Sequence, residues 1–267
     1  MSLHLVLVEP LGARNVGSVA RLCANFAVDQ LRLVAPRCDP FSAEARQMAV
    51  HGVSQLERAV IFPDLASALV DCRRVVAATG RLEGAPLPLR PPAEALAWLL
   101  APELVPTGAV AVPDGAAALV FGREDRGLSN GELLAAGCLL HIPAADTYPS
   151  LNLSHAVAVA LHHLWTLRHP PARERSQPLI PADRITDRTP QAALAPRGAV
   201  EAALTDAEAL LLEVGFLHPH TARARMAKLR ALLQRSQLTD NDVALLRGMV
   251  CQLRWASRRE VRAGEDH

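Results

Sequence analysis

Long apolar runs are missing from this 267-residue sequence. The longest, such as Ala156 to Leu161, are far too short to cross a bilayer. The opening LHLVLV reads as a strand, with no charged-then-apolar leader before it, so a cytoplasmic location is expected. Paired cysteines are missing too. The five (Cys23, Cys38, Cys72, Cys138 and Cys251) are scattered, with no C-x-x-C pair. That spacing argues against a disulfide framework and against a zinc site, and the thiols read as small buried hydrophobes. An excess of one charge is absent as well: the formal net charge is only +1, so no global basic signature of nucleic-acid binding is present. Aromatics make up 3%, whereas half of the residues are apolar, mainly Ala, Leu and Val. This is a globular composition, long enough for one large domain with a buried core plus a small one.

Charge is nevertheless unevenly spread. Residues 221–262 hold ten Arg or Lys against three acids (Asp240, Asp242 and Glu260). Such a segment is either a solvated helix surface or a face that docks phosphates.

Up to Arg168 strand-like and helix-like stretches alternate. Short Val/Leu-rich runs at 3–8, 31–35, 75–79, 119–122 and 139–143 show little polar alternation, as strands buried on both faces do. Helical stretches lie between them at 16–26, 43–51, 64–72, 93–100, 130–137 and 153–168. This order predicts an α/β domain with a largely parallel sheet. Residues 169–198 contain six prolines and many polar residues, which predicts an unpacked linker. Beyond it three helices are readable. The first carries Val200, Leu204, Ala207, Leu211 and Val214 on one stripe and stops at Gly215. In the second, Thr221 can cap while Met226, Leu229 and Leu233 face inward. The third has a capped, acid-rich start at residues 239–242. The expected divisions are therefore 1–168, 169–198 and 199–262, with no fixed-period repeat.

Three polar segments follow strand ends, where parallel α/β sheets collect ligands. The first, EPLGARNVGSVAR (9–21), has a flexible turn, a helix start that could take a phosphate, and the arginines Arg14 and Arg21. It lacks the Lys of a nucleotide-binding loop after Gly17. Asn15 could be the helix cap and Arg21 a surface charge. The second, LVFGREDRGLSNGE (119–132), ends in a capping box of Ser129 and Glu132; a turn and a cap leave the Gly122-Arg123-Glu124 cluster unexplained. In the third, 142–159, Ser150 and Asn152 precede a helix that is apolar nearly all round at its start, which demands burial in a core or a subunit interface. Either residue could be an N-cap.

Together, the N-x-G-x-x-x-R run ending at Arg21, the FGRE-x-x-GLSN-x-E block and the SLNLS-x-A-x-A block resemble the SpoU/TrmH class of SPOUT RNA 2′-O-methyltransferases. Past the linker, GFLHPHTARARMAKLRALLQR looks like the C-terminal extension of TrmJ-type tRNA methyltransferases. The resemblance implies an α/β-knot domain with a deep trefoil knot, against general topology rules, followed by a small helical extension. It also implies a homodimer and S-adenosylmethionine as methyl donor, held by Thr79, Gly80, Gly122, Ile142, Ser150 and Leu151. Arg21, Asn15, Glu124 and Asn152 match the family's catalytic and substrate-side positions. Arg14, Arg123, Arg223, Arg225, Lys228 and Arg230 are the expected RNA contacts. Pro149 departs from the Ser usual in close relatives.

The implied reaction is in-line attack of a ribose 2′-oxygen on the donor methyl, at nucleotide 32 of the tRNA anticodon loop, with no metal. Arg21 matches the family's proposed base, yet a guanidinium stays protonated; clamping a phosphate is an equal account. The histidines of the apolar helix (His155, His162 and His163) read as core or interface residues. Alternatives are another tRNA position or ribosomal RNA, a non-catalytic RNA-binding protein, and a nucleotide-cofactor enzyme. The last is disfavoured by the absent G-x-G-x-x-G.

Overall fold

In the strand Leu3–Val8 (β1) every residue is buried, because both faces of the sheet are covered. Leu3, Leu5 and Leu7 point into one apolar cluster, Val6 and Val8 into another on the opposite face. A two-residue side-chain period produces this division. The computed structural model describes residues 2–101, 115–170, 194–235 and 238–265.

Around β1 lie Gln30–Val34 (β2), Val60–Phe62 (β3), Cys72–Ala78 (β4), Leu89–Arg90 (β5), Ala116–Phe121 (β6) and Cys138–Leu140 (β7). They form one parallel sheet in the order β3-β2-β1-β6-β4-β7-β5. The helices are Ala13–Asn25 (α1), Ala43–Ala49 (α2), Val53–Glu57 (α3), Leu65–Ala68 (α4), Pro92–Leu100 (α5), Asn130–Leu133 (α6) and Leu153–Arg168 (α7). Helices α1, α5 and α7 cover the leucine face of β1, while Leu65, Ala68 and Leu133 from α4 and α6 cover the valine face.

All five expected strands are present. The pattern missed the two edge strands, β3 and β5, which lack the full burial that makes a strand legible: Val60 and Ile61 are exposed, and β5 has two residues. Three expected helices are shorter. Asp64 caps a single-turn α4, and α6 stops at Leu133. The stretch expected at 43–51 breaks after Ala49, where Val50 takes φ +50 and a 3-10 turn leads into α3.

Three further helices follow: Arg197–Glu213 (α8), Pro219–Arg235 (α9) and Asp240–Glu265 (α10). They share a third cluster built on Val200, Ala203, Leu204, Met226 and Val243. Thr239 and Asp242 cap α10 reciprocally, at 2.8 Å and 3.3 Å. Thr221, expected as a cap, instead lies inside the first turn of α9, which starts at Pro219. The end of the expected linker is packed: Leu194 and Ala195 are buried and α8 already begins at Arg197. Residues 171–193 of that linker lie outside the described residues. The helical unit is fixed to the α/β unit by Arg73, which donates to the Leu194 carbonyl and lies 3.3 Å from Asp240. Ala227 and Ala231 of α9 also pack on the valine-face cluster. Three cysteines, Cys23, Cys72 and Cys138, are buried as expected, whereas Cys251 is exposed on α10.

Helices α1 and α2 meet at Gly17, where an added Cβ would stand 2.0 Å from the Ala45 carbonyl oxygen. Backbone cannot yield cheaply there, so Gly17→Ala should destabilise the fold by about 2–3 kcal/mol. Gly248→Ala on α10, where a Cβ meets nothing within 4 Å, should be neutral or stabilising by roughly 0.5–1 kcal/mol. Urea midpoints of the two variants check the contrast.

Candidate active site

Strands β6, β4 and β7 are neighbours, so the loops leaving their carboxyl ends converge. They enclose a cavity of about 340 Å³, within the range of small-molecule sites. Thr79, Gly80, Gly122, Ile142, Ser150 and Leu151, the six residues expected around a donor, all line it, and Pro149 lines it as well. One wall is held by Arg81, whose guanidinium donates to the Leu128 carbonyl (3.0 Å) and to Asn130 Oδ1 (2.7 Å). The Thr79 amide donates to the Leu140 carbonyl at 3.0 Å, tying the first loop to β7.

The loop after β6 turns back on itself. Gly127 takes φ +66, its amide donates to the Arg123 carbonyl at 3.0 Å, and a Cβ on Gly122 would lie 2.3 Å from the Gly127 carbonyl carbon. Gly122 thus serves close backbone approach within the wall. At Gly80 the surroundings differ: a Cβ there meets nothing within 4 Å.

Beside the cavity the three polar segments are linked by side chains. Glu124 Oε1 accepts from the Gly12 amide (3.1 Å) and from Asn15 Nδ2 (2.9 Å), and Oε2 accepts from the Leu11 amide (2.9 Å). Asn152 Nδ2 donates to Asn15 Oδ1 at 3.3 Å. Asn15 is not the helix cap: Gly12 holds that position without a side-chain bond, and Glu124 reaches across to take the free amides at the start of α1. A carboxylate there also meets the positive end of the helix dipole. Asn152 does cap α7, accepting from the Ser154 amide at 2.9 Å.

Arg14 and Arg21 are exposed, four residues before and three residues after Ser18, and so share one stripe of α1. Neither lines the cavity. Arg123, expected to contact RNA, is differently employed. Its side chain is 8% exposed and bridges Glu9 and Glu132, with the Glu132 bonds at 2.8 and 2.9 Å. Its fork is consumed internally because the loop returns it under the strand ends. On α9, Arg223 and Lys228 are exposed, whereas Arg230 pairs with Glu201 at 3.0 Å and Arg225 donates to the Phe216 carbonyl at 2.9 Å.

Sequence reasoning passed over Glu9, although it opens the first polar segment. It follows β1 directly, takes φ +44, and receives Arg123, Arg37 and, at 3.7 Å, Arg126. The hydrogen bond from Arg123 outweighs partial burial and holds the Glu9 carboxyl at about 2, below the ordinary 4.5. Elsewhere His4, Asp71 and Cys72 place ligand atoms within 4.8 Å of one another. The Arg32 guanidinium occupies that group, bonding both Asp71 oxygens at 2.6 and 2.8 Å, and burial pushes the Cys72 thiol up to about 12. A cation of the chain itself stands where a metal would.

Comparison with known proteins bears on the whole chain. The family model of the SpoU rRNA methylase family matches residues 2–162, and that of the tRNA methyltransferase TrmJ C-terminal domain matches residues 199–265. The tRNA (cytidine/uridine/adenosine-2′-O-)-methyltransferase TrmJ of Pseudomonas aeruginosa is 30% identical over 96% of this chain and 95% of its own. The tRNA (cytidine/uridine-2′-O-)-methyltransferase TrmJ of Klebsiella pneumoniae is 31% identical over 94% and 96%. Among solved structures, TrmJ from Z. mobilis ZM4 superposes with a TM-score of 0.75 at 25% identity, covering 95% of this chain and 100% of that one.

The Glu9 ion pairs carry a pH dependence. A carboxyl held near 2 in the fold and titrating near 4.5 when unfolded contributes stability that is complete above about pH 4.5 and is lost as pH falls towards 2. Glu9→Gln should therefore be less stable than the native chain at pH 7, with the gap narrowing steadily between pH 4.5 and pH 2. Denaturant titrations at several pH values measure it; a gap that does not vary with pH would mean the carboxylate charge is not what stabilises.

Proposed function

Because the chain belongs to the SpoU methylase family and ends in a TrmJ-type C-terminal domain, we propose that it methylates a ribose 2′-oxygen of tRNA from S-adenosylmethionine, at nucleotide 32 of the anticodon loop. The observation that carries this reading is the link from Glu124 through Asn15 to Asn152. It joins three polar segments, far apart in sequence, beside one cavity at the strand ends, which Glu124 itself lines.

The cavity suits the donor. Gly80 leaves open space, small residues such as Ala78, Thr79, Ser150 and Ala156 alternate on the lining with Leu140, Ile142 and Leu151, and the carboxylates of Glu124 and Asp125 stand against the arginines there. Thr79, Gly80, Gly122, Ile142, Ser150 and Leu151 would hold it. When bound, it supplies an already activated methyl group, so the chain's task is alignment. Glu124 fixes the start of α1, and Asn15 and Asn152 hold each other beside the cavity, a frame for a ribose hydroxyl. With Arg14 on the same stripe of α1, Arg21 acts as an electrostatic clamp on the RNA backbone. The trefoil knot and a homodimer through α7 belong to the same proposal. Ala158 and Val159 of that helix stay partly exposed beside the exposed His155, His162 and His163. Among the described residues no helix is long and apolar enough to cross a membrane.

Two measurements bear on the donor and the target. Gly80→Val should fold normally and lose S-adenosylmethionine binding by calorimetry; unchanged affinity would place the donor elsewhere. Mass-spectrometric mapping of tRNA from cells lacking the protein should show nucleotide 32 without its 2′-O-methyl group, and methylation retained there would overturn the assignment of the target.

Arg21→Ala should nearly eliminate methyl transfer while donor affinity stays unchanged. Of the four α9 cations expected to contact RNA, Arg223 and Lys228 should matter most, since Arg225 and Arg230 are engaged. Replacing Arg223 and Lys228 with Ala should weaken tRNA binding and flatten the slope of log affinity against log salt by about two units. An unaltered slope would make this face a solvated surface only.

A further inference from the structure

Four arginines surround the cavity: Arg81, Arg123 and Arg126 on its lining, and Arg37 on the loop after β2. Four carboxylates balance them, Glu124 and Asp125 on the lining, with Glu9 and Glu132 behind Arg123. Arg123, Arg37 and Arg126 converge on Glu9, whereas Arg81 is held by Leu128 and Asn130. Glu9 Oε1 accepts from Arg123 and its Oε2 forms an ion pair with Arg37, while Arg126 Nη2 lies 3.7 Å from Oε2. The residue sits at φ +44, a left-handed conformation unfavourable for anything but glycine, directly after a fully buried strand. Strain of this kind persists where the surrounding structure over-determines the backbone. Glu9 itself does not line the cavity. Its influence is therefore the field it projects there through Arg123.

Methyl transfer changes the charge of the ligand in that field. As the methyl carbon bonds to the ribose oxygen, the carbon–sulfur bond breaks and its electron pair stays on sulfur. The ribose hydroxyl gives up its proton to solvent. A sulfonium cation thus becomes a neutral thioether, while the rest of the ligand is unaltered. A surplus positive charge near the cavity repels the donor and is indifferent to the product at that atom. Without Glu9, three guanidiniums lose their common counter-ion, and the neighbourhood carries that surplus.

We infer that Glu9 sets the preference of the cavity for the cationic donor over its neutral demethylated product. This rests on S-adenosylmethionine being the donor. Glu9 is a positioning and charge-balancing residue, not a catalytic one, and a purely structural role makes a different forecast. If Glu9 only held the loop after β6 in place, losing it would weaken both ligands alike.

Calorimetric titration of the full chain with S-adenosylmethionine and with S-adenosylhomocysteine separates the two. In Glu9→Gln, donor affinity should fall about tenfold more than product affinity, the scale of one unit charge acting across a side-chain layer. Arg37→Gln, half exposed and outside the cavity lining, should shift the ratio the opposite way by a few-fold. It also serves as the test should Glu9→Gln not fold. Both shifts should shrink at high salt. Parallel loss of the two ligands in Glu9→Gln, or a ratio unmoved in Arg37→Gln, overturns the inference and leaves the donor assignment standing. Native protein that binds neither ligand overturns the donor assignment, and this inference falls with it.

Discussion

The carboxylate of Glu124 fixes the start of α1, and much of the site depends on that junction. A helix begins with amides that have no partner in its own first turn. Here Gly12 offers no side chain to satisfy them, and the acceptor comes from a residue 112 positions later. One carboxylate takes the Leu11 and Gly12 amides and the Asn15 side chain together. The reverse stitch runs from Glu9, just before α1, to Arg123, just before Glu124. Two crossed links between the same two loops fix their relative position more firmly than either alone. Because the second loop is also a cavity wall, the position of the helix start and the shape of the cavity are set together.

Buried charge in this protein is answered where it borders the sheet. Arg32 is 5% exposed and would be costly to bury alone, but Asp71 grips it with both oxygens and the Ala68 carbonyl accepts at 2.6 Å. Arg123 is handled in the same way by Glu9 and Glu132. The two sites differ in what they border. The Arg32 pair lies under α4 and touches only structure. The Arg123 pair stands against the cavity, where its charge balance reaches whatever binds there. The same physical device thus serves stability in one place and recognition in the other.

Legibility from sequence follows burial. Central strands announce themselves because both faces are apolar, as in β1 and β6, where every residue is buried. The edge strands β3 and β5 carry no such mark. Local capping chemistry is equally readable: Ser129 with Glu132, Asn152, and the start of α10 all use short-range bonds that a sequence spells out. What cannot be read is the set of partners chosen across the fold. Asn15 resembles a cap because caps are local, yet its partner is Glu124. Arg123 resembles a free cation because its two carboxylates lie 9 and 114 residues away. The cavity residues are named through the family resemblance, not through any periodicity, and the sheet order then brings the loops bearing them side by side.

The helical unit follows a related logic. Helix α9 has two apolar aspects: Ala222 and Met226 face the cluster it shares with α8 and α10, while Ala227 and Ala231 face the α/β unit. Alanine on the second aspect allows close approach, and Arg73 with Gly198 fastens the neighbouring chain, since a Cβ on Gly198 would lie 2.7 Å from Val70. A helix gripped from two sides has little freedom to rotate. Its remaining surface, with Arg223 and Lys228, is therefore held at a fixed orientation to the strand ends and to the cavity there. Phosphate contacts carry no sequence information, but they fix register. Under the proposed function, cations on a rigid helix would help set which nucleotide reaches Asn15 and Asn152, where a flexible basic tail would supply only affinity.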